Sequence, residues 1–438
     1  MTSATLPKEL DGKVVTPADP RYRLLRSTYT TVARPALVVL PQTTTDVVAA
    51  LRYARDSGLP IAVRSGGHGL SGRSSNDGGV VIDVSGLNEV RVLDRRTRLV
   101  RVGAGARWAE VARDLASAGL AISSGDHGNV GVGGLAIAGG VGWLVRDYGL
   151  TIDHVRAAEV VLADGRVVRT DAEHEPDLFW AVRGAGAGVG VVTAFEIEAT
   201  ELRDIAVAQL TLAADPDGST LSRWAEHLAQ APRRLSTAAM LMSDGRRAVL
   251  SLTAVYAGPD TGRMRKAVAP LLEIGTLLDQ RAHRVPYSGL VSTAHLHPNL
   301  GQQPANTTNG LLPTMTPDAA RAITAAVTGP RPALLQLRSV GGAVNDVAAD
   351  ATAYSHRDSD VLVVGTVFPP GDRATLDRIW RPVGAHTRGA YANFESCPDA
   401  AAFRRFYPGP TGDRVLATWR HHDPDGIFRS ALYPSELS

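Results

Sequence analysis

The chain has 438 residues with 46 Lys and Arg against 44 Asp and Glu, a length that predicts two or three domains and a balance without any long basic run. That balance argues against nucleic acid or an acidic membrane surface as a partner. One cysteine, Cys397, excludes an internal disulfide and fits a reducing compartment, and the first residues lack a charged-then-apolar leader pattern. No apolar run reaches the ~18 residues a spanning helix needs, so a cytoplasmic enzyme or binding protein is expected.

Ala36 to Leu40 reads as a strand, followed by a helix capped at Thr45 and Asp46 with Val47, Leu51 and Ala54 on one face, stopped by Gly58. A strand from Ile61 to Val63 then enters Arg64-Ser65-Gly66-Gly67-His68-Gly69-Leu70-Ser71-Gly72. Glycines at this density let main-chain N–H groups line up around a phosphate, with one histidine rising from them. Gly67 to Gly72 matches G-x-G-x-x-G, but loop residues and a second strand, Val80 to Val84, follow where a dinucleotide fold needs a helix. A nicotinamide-dehydrogenase reading therefore fails.

Strands are expected at Val90 to Leu93 and Leu99 to Val102, then a helix from Arg107 to Ala118. The second glycine-rich stretch, Ser123 to Asp153, holds Asp126, His127, Val130, Gly131, Gly133, Gly134, Gly139, Gly140 and Gly142, with almost no charge before Arg146. It suits either a large planar or phosphorylated ligand or close helix packing. A hairpin turns at Asp164-Gly165, a short helix runs from Pro176 to Arg183, and a strand from Val191 to Ile197 closes the region.

From about residue 203 glycine thins out. Strands at Val207 to Leu212, Ala239 to Met242, Ala248 to Tyr256 and Val361 to Val367 alternate with helices at Leu221 to Ala229, Met264 to Leu272 and Asp372 to Trp380. In Leu335-Gln336-Leu337-Arg338 the polar pair shares one strand face. His295-Leu-His297 and His421-His422-Asp423 lack a complete ligand set at a metal spacing, so no metal is expected. The tail adds Tyr391-Ala-Asn393 and a helix near Asp413 to Trp419.

Five motifs agree in order: Arg64-Ser-Gly-Gly-His68-Gly; Val130-Gly131-Val-Gly133-Gly134 with Gly139-Gly140-Val-Gly142; Asp177-Leu-Phe-Trp180-Ala-Val-Arg183-Gly184 with Gly190-Val-Val192-Thr193; Tyr391-Ala-Asn393; and Asp423-Pro424 with Phe428-Arg429. Together they resemble the berberine bridge enzyme-like branch of the vanillyl-alcohol oxidase flavoproteins. The resemblance is specific over residues 36–197 and 388–429 and weak between, apart from Gly341-Gly342 and Ala353-Tyr354-Ser-His356-Arg357.

The resemblance implies an α+β fold: a bipartite FAD-binding domain of two α/β subdomains, residues 1–202 and 388–438, around a substrate domain, 203–387, of antiparallel sheet covered by helices. It implies FAD joined covalently through His68 to the flavin C8 methyl, and cofactor contacts from Arg64, Ser65, Gly66, Gly67, Gly69, Ser71, Val130, Gly131, Gly134, Gly139, Gly142, Val192, Tyr391 and Asn393. Many members carry a cysteine that makes a second link; that position holds His127 here, so a single link is expected, as in members one of which oxidises an amine. Cys397 is expected to be a packed thiol. Tyr391 is the first candidate for a base, which would need a lowered pKa, or for a substrate-orienting group, with His127 and Asn393 beside it. Val130 bears on oxygen access. The implied activity is oxidation of a small alcohol or amine with molecular oxygen as acceptor. A dehydrogenase with another acceptor, an oligosaccharide oxidase and a non-catalytic flavin protein stay open.

Overall fold

The computed structural model describes residues 5–291, 304–329 and 331–428. His295, His297 and Arg429 lie outside the described residues.

The α+β expectation holds: the described residues form three larger sheets and a two-stranded one that pairs Leu120–Ala121 with Thr200–Glu201. The first has the order Val14–Val15, Leu37–Val39, Val80–Asp83, Ile61–Arg64, with the last three strands parallel. Parallel pairing of Ile61–Arg64 with Val80–Asp83 requires a crossover, and the glycine loop is that crossover. The helix Thr44–Asp56 packs Val47, Ala50, Leu51 and Ala54 inward. Its cap is two residues earlier than expected: Thr43 Oγ1 accepts from Asp46 N at 3.2 Å while Asp46 accepts from Gln42 N and Thr43 N, a capping box.

The second sheet is antiparallel, in the order Val90–Asp94, Leu99–Gly103, Val191–Glu198, Val155–Val161, Val167–Asp171. It shares one core with the first sheet, with the helices Trp108–Ala116 and Pro176–Ala185, and with Phe403, Phe406, Tyr407, Trp419 and Phe428 of the tail.

The third sheet has seven antiparallel strands, in the order Thr276–Pro286, Asp204–Ala214, Ala248–Tyr256, Leu235–Ser243, Leu334–Ser339, Val361–Val367, Asn306–Leu312. The helices Ser219–Gln230, Thr261–Val268, Pro317–Thr328 and Arg373–Gly384 bury their apolar stripes on one face. Leu335 and Leu337 meet those helices, so the two-residue strand period turns Gln336 and Arg338 to the opposite face.

Three elements go beyond the sequence reading. Thr276–Pro286 is a largely exposed edge strand, formed by its ladder with Asp204–Ala214 and with Asp279, Arg281 and Arg284 discouraging further pairing. Asn306–Leu312 is a buried strand despite its polar Asn-Thr-Thr-Asn start, because those side chains find partners. Pro317–Thr328 did carry a signal, Thr316 as N-cap with Pro317 in the first turn.

His356 is buried against Gly389, with Nε2 bonded to the Phe406 carbonyl at 3.1 Å, and burial pulls its pKa below the ordinary 6.5. The unfolded chain therefore binds a proton here before the folded chain does. Stability from this group is full above pH 6.5 and is lost as pH falls through the lower, folded value. Urea midpoints at pH 7.5 and 5.5 should show a smaller acid loss in His356→Asn than in wild type; equal losses would contradict this account.

Candidate functional site

The glycine loop, the second glycine stretch, the tail and the third sheet meet around one cavity of about 460 Å³. Ser65, Gly66, Gly67, His68 and Gly69 line it, with Gly67 at a φ of 69°. Across it stand His127, Val130, Gly131 and Gly134, with Val192 from the second sheet and Tyr391 and Asn393 from the tail. The loop and the second stretch touch backbone to backbone: a Cβ on Gly66 would lie 2.3 Å from Gly131 N, and one on Gly131 would lie 2.1 Å from Ser65 Oγ.

Four residues named above do not line the cavity. Arg64 sits opposite Asp83 in the parallel ladder and is buried with it, Nε to Oδ2 at 2.8 Å, with a further bond to the Ser27 carbonyl. Ser71 lies within the turn closed by Gly72 N to Gly69 O, so the lining passes from Leu70 to Arg73. Gly139 makes room for Tyr391, whose Cε2 would lie 2.9 Å from an added Cβ, and Gly142 packs on the Ser124 carbonyl, 1.7 Å from such a carbon. Gly139 thus admits the Tyr391 ring and Gly142 a neighbouring backbone, and neither lines the cavity.

The tail is placed by polar bonds to the third sheet. Asn309 is fully buried and grips the backbone of Tyr391, Nδ2 donating to its carbonyl at 3.0 Å and Oδ1 accepting from its N–H at 2.7 Å. The Tyr391 hydroxyl accepts from Gly140 N and from Asn393 Nδ2, both at 3.0 Å, and Asn393 Nδ2 also reaches the Gly134 carbonyl at 3.2 Å. Burial pushes Tyr391 up to about 12, against the lowering effect of those two donors. The lowered pKa that a tyrosine base needs is therefore replaced by a raised one. Tyr391 stands at neutral pH as a phenol that holds its proton.

His68 stacks on Tyr29, centroids 4.9 Å apart at 13°, and lies 5.4 Å from the His127 ring. His127 Nδ1 accepts from Asn129 N at 3.1 Å, so its neutral form carries the proton on Nε2. Tyr29 had no sequence signal, lying in a polar lead-in before the first recognisable strand. Asp126, the one acidic residue of its stretch before Arg146, carries no role in the sequence reading. It pairs with Arg338, whose Nε and Nη2 reach Oδ2 at 3.1 and 2.5 Å, and Gln336 joins through Oε1 at 2.9 Å from Arg338 Nη1. All three line the cavity, with Phe394 under the Arg338 guanidinium at 4.8 Å. Cys397 is exposed rather than packed and does not line the cavity. The Asp423 carboxylate accepts from Ile427 N and Phe428 N, so it serves to fold the tail.

The wall fits a large planar, phosphorylated cofactor. Gly134 is the exposed position in an otherwise buried run, 131–136, and a Cβ there would meet nothing within 4 Å. Ser74 Oγ, on the same cavity, is buried without a partner among the described residues, an orphan that a ligand group would satisfy.

Residues 35–171 match the family model described as an FAD binding domain. The chain is 39% identical to (R)-6-hydroxynicotine oxidase of Paenarthrobacter nicotinovorans over 198 residues, 45% of this chain and 43% of that protein, so the match spans less than half of that relative. It is 27% identical to the FAD-linked oxidoreductase YgaK of Bacillus subtilis (strain 168) over 439 residues, 96% of each. The crystal structure of 6-hydroxy-D-nicotine oxidase from Arthrobacter nicotinovorans superposes with a TM-score of 0.86 at 25% identity, covering 98% of this chain and 99% of that one.

Proposed function

We propose that the chain is an FAD-linked oxidoreductase of the vanillyl-alcohol oxidase superfamily and that it oxidises a small alcohol or amine, passing two electrons to molecular oxygen and releasing hydrogen peroxide. The observation that carries the proposal is a shared cavity lined by His68, Gly134 and Tyr391 together with Gln336 and Arg338 of the third sheet. Bound FAD supplies the hydride acceptor.

On this reading, His68 attaches the cofactor covalently, and the loop from Ser65 to Gly69 holds its phosphates with backbone N–H groups. Cys397, outside the cavity, leaves the attachment single. Tyr391, fixed by Gly140 and Asn393, orients the substrate as a neutral phenol. His127 lines the cavity with its neutral form protonated on Nε2, and Val130 leaves room for oxygen. A cytoplasmic location belongs to the same proposal, supported by the single cysteine. Among the described residues no helix is long and apolar enough to cross a membrane.

The test is denaturation in acid followed by gel electrophoresis. Flavin fluorescence should migrate with the wild-type chain and vanish from it in His68→Ala. Fluorescence retained by His68→Ala would overturn the attachment site, and a colourless protein that takes up no added FAD would overturn the reading as a whole.

A further inference from the structure

The Asp126–Arg338–Gln336 group joins a loop of the first core to a strand of the third sheet, at the cavity where substrate must enter. Both Arg338 bonds land on Asp126 Oδ2, and Oδ1 receives no protein donor among the described residues. The Gln336 carbonyl oxygen is taken by Arg338, which leaves its NH2 as a donor. Behind the pair lies a pocket of only about 10 Å³, bounded by Trp143, Ser236 and Ser339. That space holds no more than about one water, so the main cavity is the side from which a larger ligand meets the group.

That surface presents one acceptor and one donor side by side, over charges that cancel. A hydroxyl, which gives one hydrogen bond and takes another, matches it. An ammonium has nothing to accept with and meets Arg338; a carboxylate has nothing to donate and meets Asp126. Val364, Phe368 and Phe394 provide apolar contact beside it. Arg73, the other cation on the wall, donates to the Pro398 carbonyl and couples to Cys397, whereas Asp126 and Arg338 are the charges that act on the Tyr391 hydroxyl, with opposite signs.

We propose that the Asp126–Arg338 pair with Gln336 is the specificity determinant of this cavity and selects a neutral hydroxyl-bearing substrate over an ammonium or a carboxylate. This rests on the oxidase reading and narrows its substrate class from alcohol or amine to alcohol. A site built around a half-buried, mutually bonded polar set disfavours analogues that leave its members unmatched.

The experiment is anaerobic calorimetric titration of the purified protein with three probes of one shape: benzyl alcohol, benzylammonium and benzoate. Wild type should bind benzyl alcohol tightest. Asp126→Asn, leaving the cation, should improve benzoate relative to benzyl alcohol by at least about tenfold; Arg338→Met should do the same for benzylammonium. The double variant, neutral again, should return to the wild-type order, which a merely structural pair would not do. Arg338→Gln replaces Arg338→Met if the latter does not fold. An unchanged order in both single variants, a charged probe bound tightest by wild type, or no binding of benzyl alcohol to wild type each overturns the proposal. Visible absorbance of the same samples reports flavin separately, so a colourless protein would refute the flavin reading while the probe order still decides this one.

Discussion

Gly134→Leu should yield a folded protein without flavin, whereas Gly142→Ala should lose stability before any question of flavin arises. The two glycines are eight positions apart in one stretch and look alike in sequence. At Gly134 an added Cβ meets nothing within 4 Å, and the position faces the cavity. A leucine there removes no contact and raises helix propensity, so urea stability of the apoprotein should change by no more than about 1 kcal/mol. Its side chain occupies ligand space, and the visible flavin band should disappear. At Gly142 the same Cβ falls 1.7 Å from the Ser124 carbonyl oxygen and 2.8 Å from the Gly125 carbonyl carbon, both backbone atoms that cannot rotate away. A forced backbone shift of this kind costs about 1–3 kcal/mol. Full flavin content in Gly134→Leu would show that the cofactor does not lie on this wall. A Gly142→Ala protein as stable as wild type would show that Gly142 does not pack tightly against the Ser124 carbonyl.

Arg64→Met should cost about 3–5 kcal/mol of stability whether or not flavin is bound, because it leaves Asp83 as a buried, unpaired carboxylate. That is a large share of the roughly 5–15 kcal/mol that holds a typical domain together. The measurement is urea unfolding of Arg64→Met in the His68→Ala background with flavin washed out, against the same background alone. A cofactor ligand would leave the apoprotein's stability untouched and weaken only flavin retention, so that pattern would restore Arg64 to the binding surface. Adding Asp83→Asn should recover part of the loss, since it removes the stranded charge.

The elements of the first core were legible because they obey local rules. Valine-rich strands bounded by turns, a capped amphipathic helix and an Asp-Gly hairpin each carry their signal within a few residues. The edge strand Thr276–Pro286 was not legible: its side chains are polar and exposed, and only the ladder with Asp204–Ala214 makes it a strand. For the same reason Tyr29 gave no hint of its stacking on His68, a contact made by chain folding rather than by spacing.

Sequence alone determined that two glycine-rich stretches must admit close backbone approach, that a histidine stands in the first, and that Gln336 and Arg338 share a strand face. Those follow from glycine's missing Cβ and from the two-residue period of a strand. Only the tertiary structure decided which glycines face the cavity and which face backbone, because this depends on what lies opposite each Cα. It likewise decided that Arg64 spends its charge on Asp83, that Tyr391 is buried enough to keep its proton, and that Arg338 is neutralised by Asp126 from the other core. Charge, unlike periodicity, takes its meaning from a partner, and here the partners come from elsewhere in the chain.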